Sequence, residues 1–128
     1  MAEHDNDFPS LGELAETLVG AYNLIGKLLG DLPIPIGLPP MPEREGGGRE
    51  AAQALERARL ALLDLPFDPE TKSMFHTLLL EWLTAQDQMA LAASVSADDH
   101  RLYALFATLT RISMIASMVE HRLTDPDS

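Results

Sequence analysis

The chain has 128 residues, no cysteine and a formal charge of −11 at pH 7. That length suits one domain with its own core, and the lack of cysteine excludes disulfides and thiolate metal centres and fits a reducing cytoplasm. The acid excess repels nucleic-acid phosphates and anionic lipid, and the arginines at 57, 59, 101, 111 and 122 are scattered, so neither nucleic acid nor a membrane is an expected partner.

The first residues, M-A-E-H-D-N-D-F, are acidic where a secretory leader is basic. A disordered acidic tail over 1–9 is expected, with no signal peptide. Ser10 and Glu13 then make a capping box, in which each side chain satisfies the other residue's free N–H. Leu11, Leu14, Leu18, Ala21, Ile25, Leu28 and Leu32 follow at steps of three and four, predicting a first helix over about 10–30. Glycines at 12, 20, 26 and 30 each cost a helix about 1 kcal/mol against alanine. Gly26 and Gly30 have the small-xxx-small spacing that lets another helix approach closely. In a membrane span this spacing marks dimerisation, but Glu13, Glu16, Asn23 and Lys27 interrupt the run, which argues for a soluble helix.

Asp31 to Pro42 reads D-L-P-I-P-I-G-L-P-P-M-P. Its prolines forbid helix and central strand, yet Leu32, Ile34, Ile36, Leu38 and Met41 are too apolar for a free linker. An extended arm is expected over 31–48, docking through those five side chains and able to run about 35 Å at ~3.1 Å per residue. Its last part, E-R-E-G-G-G, reads as a flexible joint.

A second helix is predicted over 49–65, with Leu55, Ala58, Leu62 and Leu65 as its apolar seam and Pro66 as its stop. Asp68-Pro69-Glu70 then opens a third, over 69–94: the carboxylate caps, proline needs no partner for its missing N–H, and an acid suits the first turn. Phe75, Leu78, Trp82, Ala85, Met89 and Ala92 form its seam. So short a link makes these two helices antiparallel neighbours. Ser96 with Asp99 repeats the capping pattern before a fourth helix over 97–123, whose seam is Leu102, Leu105, Leu109, Ile112, Ala116, Val119 and Leu123; residues 124–128 form a tail.

The fourth helix is apolar on two faces. Opposite its seam stand Ala104, Ala107, Met114 and Met118, and Arg111 is the only charge between Arg101 and Glu120. A helix apolar most of the way round is buried most of the way round, and Leu80 on the outer side of the third helix raises the same demand. The candidate oligomer interface is therefore Leu80, Ala104, Ala107, Met114 and Met118, with Gly26 and Gly30 as a further close-approach site, unless the proline arm covers the fourth helix. Arg111 should be paired by Glu81 or Asp87.

Catalytic patterns are missing. Gly46 to Gly48 lacks the Lys-Ser/Thr of a phosphate loop, no Glu-x-x-His pair of a di-iron bundle is present, and no nucleophile elbow occurs. His4, His76, His100 and His121 have no second ligand suitably spaced, so no cofactor or metal is expected. Trp82 reads first as core, its indole N–H finding a carbonyl; with Phe75, Met89 and Phe106 it could instead line an apolar pocket.

The expected fold is all-α, a four-helix bundle with a long proline-rich apolar arm between helices 1 and 2. Helices 2 to 4 would form an antiparallel three-helix unit, completed by helix 1 of the same chain or of a second subunit, with helices 1 and 2 able to run parallel. The leading functional reading is a non-catalytic, cytoplasmic interaction protein that self-associates as a homo-oligomer and acts as adaptor, scaffold or small subunit of a larger assembly. A carrier or sensor of an apolar small molecule comes second, and an enzyme third.

Overall fold

The computed structural model describes residues 9–41, 47–94 and 99–124. The expected acidic tail before Pro9, most of the joint, the Ser96 cap and the tail after Thr124 lie outside the described residues. Among the described residues the protein is all-helical and has no strand: α1 spans Leu11–Gly30, α2 Gly47–Leu63, α3 Pro69–Ser94 and α4 Asp99–Thr124.

The helix starts follow from local chemistry. Ser10 Oγ accepts from the Glu13 N–H at 3.1 Å and Glu13 Oε1 accepts from the Ser10 N–H at 2.9 Å, closing the capping box. Those bonds to Ser10 hold the Glu13 carboxyl below the usual carboxylate range. At α3, Asp68 Oδ2 accepts from both the N–H and the hydroxyl of Thr71, at 3.1 and 3.0 Å. α2 stops at Leu63 rather than at the expected Leu65, because Asp64 and Leu65 tighten into N–H bonds reaching only three residues back, to Ala61 and Leu62, ahead of Pro66.

Side-chain pairs give the helix directions. Arg59 donates to His76 Nε2 at 3.1 Å and Lys72 Nζ to the Leu63 carbonyl at 3.1 Å, so α2 and α3 are antiparallel. Arg111 meets Glu81 at 3.2 Å and Arg122 meets Asp68 at 2.7 Å, so α3 and α4 are antiparallel too. Of the two clefts along the α1–α4 junction, one is lined by Leu14 with Phe106 and the next, further along α1, by Leu24 with Ile112, the order of two helices that run the same way. Hence α1, α2 and α4 point one way and α3 the other. The expected antiparallel succession of helices 2 to 4 is present with α3 at its centre: α3 packs on each of the other helices, α4 packs on α3 and α1, and the main contact of α2 is with α3.

Gathering around α3 makes one core from all four helices, including Leu14, Leu18, Tyr22, Ile25, Leu55, Leu62, Phe75, Leu78, Trp82, Leu105, Ile112 and Val119. Tyr22 and Leu29 face this core while Ala21, the expected seam residue, is only half-buried.

The arm, described through Met41, doubles back along its own first helix. After a turn over 31–34, the Ile36 N–H donates to the Leu29 carbonyl at 3.1 Å, and the Tyr22 hydroxyl donates to the Pro39 carbonyl at 2.6 Å. Leu32 is buried, and Ile36, Leu38 and Met41 pack at the edge of the core. Gly26 lies beside this contact: a Cβ there would meet a Leu38 methyl at 3.4 Å, an ordinary van der Waals distance, so it is the arm of its own chain that passes over this glycine. Ile34 departs from the expectation, being 47% exposed at the turn, where neighbouring prolines dictate the chain's path. The glycine-rich joint is also shorter than expected, for Gly47 and Gly48 already form the first turn of α2, and a Cβ on Gly48 would collide with the Gln86 side chain.

Removing a fully buried branched side chain from the arm should be costly, and trimming the exposed one should not. Leu32→Ala is expected to destabilise by about 2–5 kcal/mol, and Ile34→Ser to change stability by less than about 0.5 kcal/mol. Urea unfolding followed by circular dichroism measures both, and equal losses would mean the two side chains are equally buried.

Candidate functional site

The feature that most needs a functional account is α4. Its inner seam is buried as periodicity predicts, through Leu105, Leu109, Ile112, Ala116 and Val119. The opposite side stays open: Ala104 and Ala107 are exposed, Met114 is 61% exposed and Met118 57%. Leu80, on the outer surface of α3, is exposed as well. Among the described residues α4 is the one helix long and apolar enough to cross a membrane by length and composition, yet only a third of that stretch is buried.

The one charge in the middle of this face is drawn aside. Arg111 donates to the Glu81 carboxylate at 3.2 and 3.4 Å and to Thr108 Oγ1 at 3.0 Å, making Glu81 the partner of the two expected. Thr108 is itself buried and donates to the Ala104 carbonyl at 3.1 Å, so the guanidinium leans toward α3 while the Arg111 side chain stays 51% exposed. A second clamp closes the far end of α4, where Arg122 donates to Thr71 Oγ1 at 2.6 Å and to Asp68 Oδ2 at 2.7 Å. The guanidinium of Arg122, with the Thr71 N–H and hydroxyl, holds the Asp68 carboxyl below its ordinary value.

Clefts among the described residues border α4. One of about 260 Å³, between α1 and α4, is lined by Leu14, Thr17, Phe106, Leu109 and Met114 among others. It adjoins a second of about 290 Å³ over Thr17, Gly20, Ala21 and Ser113. The third, of about 450 Å³, lies between α3 and α4 against Glu70, Met74, Ser117, Met118, His121 and Arg122. Sequence reasoning did not assemble this last group, because Met74 and Met118 are far apart in the chain and only the antiparallel packing of α3 on α4 joins them.

The expected apolar pocket divides in the structure. Phe75 and Trp82 are fully buried and Met89 half-buried, but Phe106 is 42% exposed and lies with the outer cleft. It follows Leu105, so the 100° step of a helix carries it off the inner face. Trp82 fills space: its indole N–H donates to the Leu18 carbonyl at 2.9 Å, and its ring sits tilted on Tyr22 with centroids 5.5 Å apart. Of the candidate close-approach glycines, Gly26 is taken by the arm and Gly30 stands open.

The histidine with a side-chain contact is engaged in a local network. His76 accepts from Arg59, whose guanidinium also pairs with Glu56 on the same helix. Among the described residues no three of His, Cys, Asp and Glu gather to hold a metal ion. Comparison with protein-family models, with curated proteins and with solved structures finds no match.

Two predictions follow from these contacts. Trp82→Ala deletes the largest buried side chain and one hydrogen bond, and should cost about 3–5 kcal/mol in chemical unfolding; a near-neutral result would mean that the ring is not core. Asp68, with a lowered folded pKa, contributes stability that is present above its unfolded value of about 3.9 and is lost as pH falls through the folded one. Acid titration of stability should therefore show a component below about pH 4 that is missing in Asp68→Asn, and identical acid limbs would contradict the Arg122 clamp.

Proposed function

We propose that this protein is a non-catalytic helical interaction module that associates with a second copy of itself through the outer face of α4, and serves as an adaptor, scaffold or small subunit of a larger assembly. The observation that carries the reading is the combination of Met114, Met118, Ala104, Ala107 and Leu80 at the surface with the tying back of Arg111. Water penalises exposed apolar surface of this kind, and a like surface on a second copy relieves the penalty. Methionine suits such a contact, because a flexible unbranched thioether adapts its shape to an opposing surface.

The proline arm does not supply the cover. Its observed anchoring contacts are with α1, at Tyr22, Gly26 and Leu29. Arg111 in the middle of α4, with Glu81 beside it, favours a helix in water over one in hydrocarbon, where a central arginine costs at least about 2.5 kcal/mol. The reading accordingly places the protein in an aqueous compartment, with the cytoplasm fitting its lack of cysteine.

Sedimentation of the full chain across a concentration series is expected to reveal an oligomer. Met114→Glu with Met118→Glu should return it to the mass of a single folded chain, since each carboxylate would have to be desolvated in the contact. Two copies that each carry −11 repel, so added salt should strengthen the association by screening. A wild-type chain that stays monomeric at every concentration, or a double variant of unchanged mass, would refute the interface.

A further inference from the structure

We infer that the cleft between the first turns of α3 and the last turns of α4 is a binding site for a soft monovalent metal ion, copper(I). Its walls bring together two thioethers and an imidazole: Met74 from α3, and Met118 and His121 from α4. The register that joins them is set by Arg122, which donates to Thr71 Oγ1 at 2.6 Å and Asp68 Oδ2 at 2.7 Å. In antiparallel helices held at that point, Met74, one turn after Thr71, stands opposite Met118, one turn before Arg122. Met118 and His121 are three residues apart and share a helix face.

The donor set selects the ion. A thioether is neutral, soft and polarisable, a poor ligand for magnesium or calcium and a good one for copper(I), which imidazole also suits. Zinc is commonly held by thiolate, imidazole and carboxylate, and the described residues gather no such trio. The surroundings accept a cation, because the one guanidinium in the wall, Arg122, is neutralised by Asp68 and by Glu70 at 3.5 Å. Those acids and Thr71 absorb the hydrogen bonds of Arg122, leaving the imidazole of His121 outside that network. Packing by itself would be served as well by leucine at 74 and 118, whereas coordination requires sulfur.

That difference provides the test. The full chain is titrated anaerobically with copper(I) in competition with bicinchoninate, and one equivalent should be withdrawn from the chelator. Met74→Leu and Met118→Leu, which keep the apolar bulk, should each weaken binding by more than about tenfold with helix content unchanged; Met89→Leu and His4→Ala should bind as the parent does. On the unmodified chain, silver(I), a soft ion without redox chemistry of its own here, should shift the methyl resonances of Met74 and Met118 and leave those of Met41 and Met89 in place. Failure to compete with bicinchoninate, binding that survives the two leucine changes together, or silver shifts absent from both methionines would overturn the site. Because Met118→Leu preserves the apolar surface of α4, loss of copper with an unchanged solution mass separates this site from the self-association proposed above.

Discussion

The indole N–H of Trp82 is the constraint on which the rest of the arrangement depends. A donor buried at the centre of α3 is expensive unless it is paired, and the partner it finds is the Leu18 carbonyl on the adjacent helix. That bond sets how α1 is rotated against α3 and brings Tyr22 onto the indole ring. Tyr22 is then buried with its hydroxyl at the edge of the core, where burial pushes its pKa up and the hydroxyl donates to the Pro39 carbonyl. One tryptophan thus ties together the central helix, the first helix and the arm.

The arm's position has a consequence at the other side of the molecule. The described part of the arm is anchored to α1 at Tyr22, Gly26 and Leu29, and the outer face of α4 keeps its methionines and alanines exposed. The same economy governs charge. The chain carries a large excess of acid, yet the arginines that border the face of α4 are matched locally, Arg111 by Glu81 and Arg122 by Asp68 and Glu70. Exposed ion pairs of this kind add little to stability. Their effect here is geometric: they hold two guanidinium groups against α3, keeping one out of the middle of an apolar face and neutralising the other in the wall of the cleft that contains Met74, Met118 and His121.

How much could be read from residues alone depended on whether the controlling interaction was local. Helix starts were legible because a cap acts within four residues: Ser10 with Glu13, and Asp68 with Thr71, behave as their spacing predicts. The seams of α3 and α4 were legible because burial repeats with the helix period, and the pairing of Arg111 with Glu81 followed from the need to neutralise a charge on an apolar helix. The two-faced character of α4 was legible for the same reason, and with it the candidate surface at Ala104, Ala107, Met114 and Met118.

By itself, then, the sequence determined four helices, the caps at Ser10 and Asp68, most of the apolar stripes, an arm too apolar to be a free linker, and a last helix with more apolar surface than one core uses. Tertiary structure alone decided the rest. Tyr22 rather than Ala21 enters the core because neighbouring helix positions differ by 100° and the tryptophan's bond to Leu18 chooses between them. Ile34 faces water because the chain must turn where α1 ends, and Phe106 lies outside because Leu105 already points in. The packing of α2 chiefly on α3, and the placing of Met74, Met118 and His121 along one cleft, come from which helices lie side by side and at what register. That is a property of packing between distant segments, and no spacing within a single helix encodes it.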